Sequence, residues 1–125
     1  MDNRFDIGLL VLRLGFCSLM IYHGVSKLPL LSDPSSFPDP LGVSPTVSLV
    51  LALISEIIAP ILVILGLKTR WAVLPMIVTM IVAAFLVHGS DSFAKKELAI
   101  LYFLVFIALF FTGAGKYAFD EPKES

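Results

Sequence analysis

The chain alternates four long apolar runs with short polar connections, and that pattern sets the expected fold. The runs cover about residues 7–28, 47–67, 71–88 and 97–115. At a rise of 1.5 Å per residue, about 20 residues cross a hydrocarbon core of roughly 30 Å. The last two runs are short for this and need Trp71, His88, Glu97 and Tyr117 near the headgroups to complete a crossing. The pattern therefore predicts an all-α membrane protein, a bundle of four transmembrane helices forming one domain over residues 1–125. The connections agree. Residues 28–46 hold five of the eight prolines (Pro29, Pro34, Pro38, Pro40 and Pro45), which predicts an extended loop and no helix. Lys68-Thr69-Arg70 reads as a tight charged turn, 89–96 as a short polar loop, and Gly113 with Gly115 as the stop of the last helix.

Composition narrows the class. Of 125 residues, 58% are hydrophobic and 15% charged, against about 25% charged in a soluble domain. A net charge of −1 offers no basic field for nucleic acid. Arg13 interrupts the first run and no small-x-small cleavage site follows, so this run reads as an uncleaved span, not a removable signal. The single cysteine, Cys17, allows no internal disulfide and no paired-thiol chemistry, and reads as a small packing residue. The lysines and arginines set the orientation: Arg4, Lys68, Arg70, Lys116 and Lys123 on one side outnumber Lys27, Lys95 and Lys96 on the other, which puts both termini in the cytoplasm.

Six ionisable side chains lie within or at the rim of the apolar runs: Arg13, His23, Lys27, Glu56, His88 and Glu97. A charge at mid-helix in a membrane costs roughly 2.5–3.5 kcal/mol for Arg, Lys or Asp on insertion scales, so such groups face inward and find partners. Arg13, Phe16, Met20, His23 and Lys27 follow steps of three and four, one continuous stripe along a helix. Gly24 leaves room for a neighbouring helix or a ligand. Glu56 is the ionisable group of the second run, among small or helix-loosening residues (Ala52, Ser55, Ala59, Pro60), and Arg13 at similar depth is its expected partner. That pair either fixes helix register or exchanges a proton with a bound redox molecule. His23, Lys27, His88 and Glu97 form a second expected cluster near the outer face, either solvated or contacting a ligand head group. Two histidines on separate helices could ligate haem, but each sits at a span end with no evident apolar slot for the ring. Zinc lacks its usual His-x-x-x-His or Cys spacing. Tyr22, Tyr102, Tyr117 and Trp71 read as interfacial anchors or packing groups, and the phenylalanines of the last run as lipid-facing or core.

The ordered set of short motifs resembles the DoxX family. Arg13-Leu14-Gly15 and Tyr22-His23-Gly24-Val25-Ser26-Lys27-Leu28 look like its first span. Glu56, followed by Leu65-Gly66-Leu67-Lys68-Thr69-Arg70-Trp71-Ala72, is similar to its second span and turn. His88-Gly89, Glu97-Leu98, Tyr102, Gly113-Ala114-Gly115-Lys116-Tyr117 and Asp120 resemble the rest. Pro60 departs from the pattern, where relatives tend to carry a small residue, and predicts a kink beyond Glu56. The resemblance implies a compact bundle of four membrane helices, associated with quinol-oxidase, thiosulfate:quinone and oxidative-stress assemblies in the inner membrane.

The functional expectation is an accessory or subunit protein of a redox system that holds a quinone-like molecule between its helices. Its partners are the lipid bilayer and another protein chain or a second copy, since it has no soluble redox domain of its own. Two other classes stand beside this one: a proton-coupled transporter, which in this chain lacks an inverted repeat, and a structural or assembly partner whose ion pairs only hold the bundle together.

Overall fold

Local sequence accounts for where each helix begins and stops. The computed structural model describes residues 3–120, apart from the side chain of Lys95, so Lys123 and the Lys95 charge of the orientation count lie outside the described residues. Four long helices make up the fold: α1 (Asn3–Val25), α2 (Pro45–Leu65), α3 (Thr69–Val87) and α4 (Phe93–Thr112). No strand occurs among the described residues. The Ser44 hydroxyl accepts from Val47 N–H at 3.1 Å to cap α2, with Pro45 in the first turn, where its missing N–H goes unnoticed. Gly66 closes the helix in the left-handed helical region at φ 74°, and Gly113 ends α4 at φ 73° and ψ −168°, a different conformation that glycine also tolerates.

Three of the four, α1 to α3, are long and apolar enough to cross a membrane. Helix α4 falls short of the same measure, with Lys95, Lys96 and Glu97 in its first turns. Other boundaries also differ from expectation. Residues 28–46 are not wholly extended, since Leu28–Ser32 and Pro34–Ser36 form two short 3₁₀ helices. Pro29 and Pro34 stand at their starts, positions where proline fits. Helix α4 begins at Phe93, earlier than its apolar run: Ser92 stands before it with an extended backbone, and the polar residues 95–97 fall within its first turns.

The inner face of α1 presents Asp6, Leu9, Arg13, Cys17, Met20 and Gly24, again at steps of three and four. Helices α3 and α4 pack along their length, through Val73, Met76 and Met80 on one and Tyr102, Phe106 and Leu109 on the other. Facing outward are Val11, Leu19, Val78, Phe85, Leu104 and Phe111. So much exposed hydrocarbon on membrane-length helices contacts the lipid bilayer, and the chain is a membrane protein.

Two turns of π-helix interrupt the α-helices. In α2 the turn spans Ile54–Ile58, with Ala59 N–H donating to Ile54 C=O. Its cause is Pro60, which has no N–H and whose ring would strike the carbonyl four residues back, that of Glu56. The wider turn relieves that conflict and puts Glu56 on the bulge. The second turn, Ala83–Val87, ends α3 with His88 N–H bonded to Ala83 C=O at 2.9 Å. Bulges of this kind recur at functional sites.

Candidate ligand-binding site

The polar side chains sort to opposite ends of the molecule. At one end Arg13, almost completely buried, spreads its guanidinium over four backbone carbonyls. Nε donates to Val63 O at 2.9 Å and Nη2 to Ile64 O at 2.7 Å. Nη1 donates to Ala114 O at 3.1 Å and Tyr117 O at 2.6 Å. Val63 and Ile64 belong to the last turn of α2, at the negative end of the helix dipole, and Val63 O also accepts from Gly66 N–H at 3.0 Å. The segment after α4 folds back over the same end. Lys116 N–H donates to Asp6 Oδ1 at 3.0 Å, Phe119 N–H to Leu65 O at 2.9 Å, and Lys68 N–H to Asp120 Oδ2 at 2.5 Å. A knot of charge-assisted bonds shuts this end.

The expected Arg13–Glu56 pair therefore does not form. The register of α1 against α2 is the reason: Gly24, not Arg13, lies against Glu56. A Cβ on Gly24 would stand 2.6 Å from Ile57 Cγ1 and 3.0 Å from both Glu56 Cβ and Glu56 O, so only glycine lets the two backbones approach this closely. Arg13 is eleven residues earlier, about 16 Å along the helix at its ordinary rise.

Glu56 instead takes its counter-charge from just beyond α1. Lys27 Nζ donates to Glu56 Oε1 at 2.5 Å, with the carboxylate buried and the ammonium about one-third exposed. Both line a cavity of about 760 Å³ at the open end of the molecule, within the usual range of small-molecule sites. His23 and His88 line it as well. The second expected cluster thus comes together in three of its four members and gains Glu56. Glu97 does not join them. It is exposed, five residues before Tyr102 and so about 140° around α4 from the inward face.

Tyr102 is the group that sequence reasoning left among packing residues. Only 2% exposed, it lies on the cavity wall at the centre of an aromatic run. Its ring sits edge-on to Phe16 at 5.7 Å and to His23 at 6.1 Å, and stacks on Phe106 at 5.7 Å. Its signal was periodic: Tyr102, Phe106 and Leu109 repeat at four and three, the inward stripe of α4. Asp91, also passed over, lies 2.9 Å from His88 Nδ1 and orients that ring. Ordered turns of the 28–44 loop cover the cavity from outside, with Leu30, Phe37 and Leu41 reaching its wall.

A membrane protein of apolar helices with a largely apolar cavity that carries an ion pair in its wall is the class that this geometry defines. The profile of the DoxX family matches residues 8–89, from α1 through the end of α3, and the chain belongs to that family. It is similar to an uncharacterized protein of Haemophilus influenzae (strain ATCC 51907 / DSM 11121 / KW20 / Rd), 37% identical over 117 residues, covering 88% of this chain and 86% of the relative. No solved structure matches it.

Proposed function

We propose that this DoxX-family chain is an integral-membrane accessory or subunit of a quinone-linked or oxidative-stress redox system, holding a quinone-like ring in the cavity. In this reading the chain is a single domain of the inner membrane, with α4 as a fourth crossing beside α1 to α3. Both termini face the cytoplasm, as the grouping of Lys68, Arg70 and Lys116 at the knotted end supports.

The observation that carries the reading is the Lys27–Glu56 pair set into the wall of an otherwise apolar cavity. An ammonium has three donors. One is spent on Glu56, and the others can meet a ring carbonyl, while the second Glu56 oxygen can accept from the hydroxyl of the reduced ring. Donor and acceptor side by side suit both redox forms of such a molecule. Reduction of the ring takes two electrons and two protons. The electrons come from a partner chain, and the protons reach the ring past Glu56 and His88 on the cavity wall. Arg13 and Glu97 leave the proposed binding set, the first for a structural role and the second for the surface.

Native mass spectrometry of the mildly solubilised protein tests this. The expected result is a retained quinone mass that disappears in Glu56→Gln while the variant keeps its thermal unfolding temperature. A protein that carries no such mass and takes up no added quinone overturns the reading.

A further inference from the structure

The cavity is polar on one side and apolar elsewhere, and its apolar side is not closed. Helices α2 and α3 meet at the turn Gly66–Lys68 and pack near it, but the first half of α2, Pro45–Leu53, has little contact with α3. The pair opens like a V away from the turn. Leu51 on α2 and Val78 on α3 both line the cavity and are 49% and 57% exposed. The cavity wall has a breach between α2 and α3, because the helix segments that carry these two residues make little contact with each other. These two sit on helices long and apolar enough to cross the membrane, so the breach opens on hydrocarbon. The lining of α3 runs from Pro75 to His88, about 20 Å of helix at its ordinary rise, much longer than a single ring.

We infer that the ligand is a membrane-resident amphiphile which enters between α2 and α3 and leaves its apolar tail in that gap while its polar ring reaches Lys27 and Glu56. The inference rests on the proposed head-group site and deepens it by naming the ligand class: long-tailed and drawn from the bilayer, not a water-soluble ring. Leu30, Phe37 and Leu41 of the 28–44 loop add apolar side chains to the cavity lining, in keeping with an apolar tail. The polar groups are likewise placed for a head that arrives tail-last. Among the lining residues Lys27, Glu56, His23 and Tyr102 are buried or half-buried, whereas Leu51 and Val78 are exposed.

The test uses the full chain in lipid nanodiscs with two probes, a benzoquinone ring without a tail and the same ring bearing a ten-carbon tail. Leu51→Trp and Val78→Trp fill the gap at positions that already face hydrocarbon, and Leu104→Trp, lipid-facing on α4 and off the cavity wall, serves as the control. The expected result is that both gap variants weaken the tailed probe at least about tenfold, a shift that dissociation constants resolve readily. They leave the bare ring within about twofold, and the control changes neither. If the bare and tailed rings bind the unaltered protein equally, and the gap variants change neither, the tail does not lie between α2 and α3. The inference then fails while the head-group site stands. If neither probe binds the unaltered protein, both readings fall together.

Discussion

Arg13 shows at the scale of one residue how a buried charge can be structural. Its planar fork reaches carbonyls of two chain segments at once, a geometry a lysine cannot copy. Arg13→Lys should therefore lower stability by about 1.5–3 kcal/mol, the range for bonds to a charged group. It should also speed hydrogen exchange in residues 113–120, read by mass spectrometry, while the proposed quinone binding at the other end is left unaffected. An unchanged exchange pattern would sink the structural role. That Arg13, Glu56, Lys27 and the histidines lie at buried or cavity-lining positions was legible in the sequence, because ionisable groups in apolar runs must face inward. Which of them pair was not. Partner choice depends on the antiparallel register of α1 and α2, and Gly24 sets that register through a contact between helices that spacing along one helix does not contain.

Among the elements, α2 is where composition and function meet. Pro60 displaces one backbone bond, and the resulting π turn aims Glu56 at Lys27. Pro60→Ala lets residue 60 donate to the Glu56 carbonyl, which regularises the helix and turns the residues before it about its axis. The expected outcome is equal or higher thermal stability with weakened quinone binding, read by scanning calorimetry and by titration of the ring. Lower stability with intact binding would contradict it. The covering loop has its own sensitivity. Partial burial raises the Asp39 carboxyl, but bonds from the Ser48 hydroxyl and from the N–H groups of Ser44, Val43 and Gly42 outweigh it and hold it below the usual carboxylate range. A carboxyl depressed on folding stabilises the loop above the ordinary value near 4, and that contribution is lost as pH falls through the lower, folded value. Backbone chemical shifts of Gly42–Ser44 should therefore move as one below about pH 4, and Asp39→Asn should abolish the transition. The prolines of this segment announced a break in α-helix, as found. They could not announce the 3₁₀ turns, because Pro29 and Pro34 permit a first helical turn as readily as they forbid a later one.

Across the whole molecule, polar chemistry is divided between a tied end and an open one. The four long helices and their order were readable from hydropathy, and three of them, among the described residues, meet the demands of membrane crossing. The division of ends was not readable. The knot joins α1, the end of α2 and the chain after α4 through backbone carbonyls, which every residue carries and no motif marks. The knot also bears on how the protein is made. Arg13 and Ala114 are 101 residues apart, which at roughly 5–20 residues per second is roughly 5–20 s of synthesis. During that interval the first helix is already emerging from the ribosome with its guanidinium short of half its final acceptors. Early insertion is thus a waiting state. The nascent chain must shelter that charge in water, at the headgroups or in the insertion machinery until its last helix arrives, so a ribosome stalled before residue 114 leaves a first span that is made but not yet at home in the membrane.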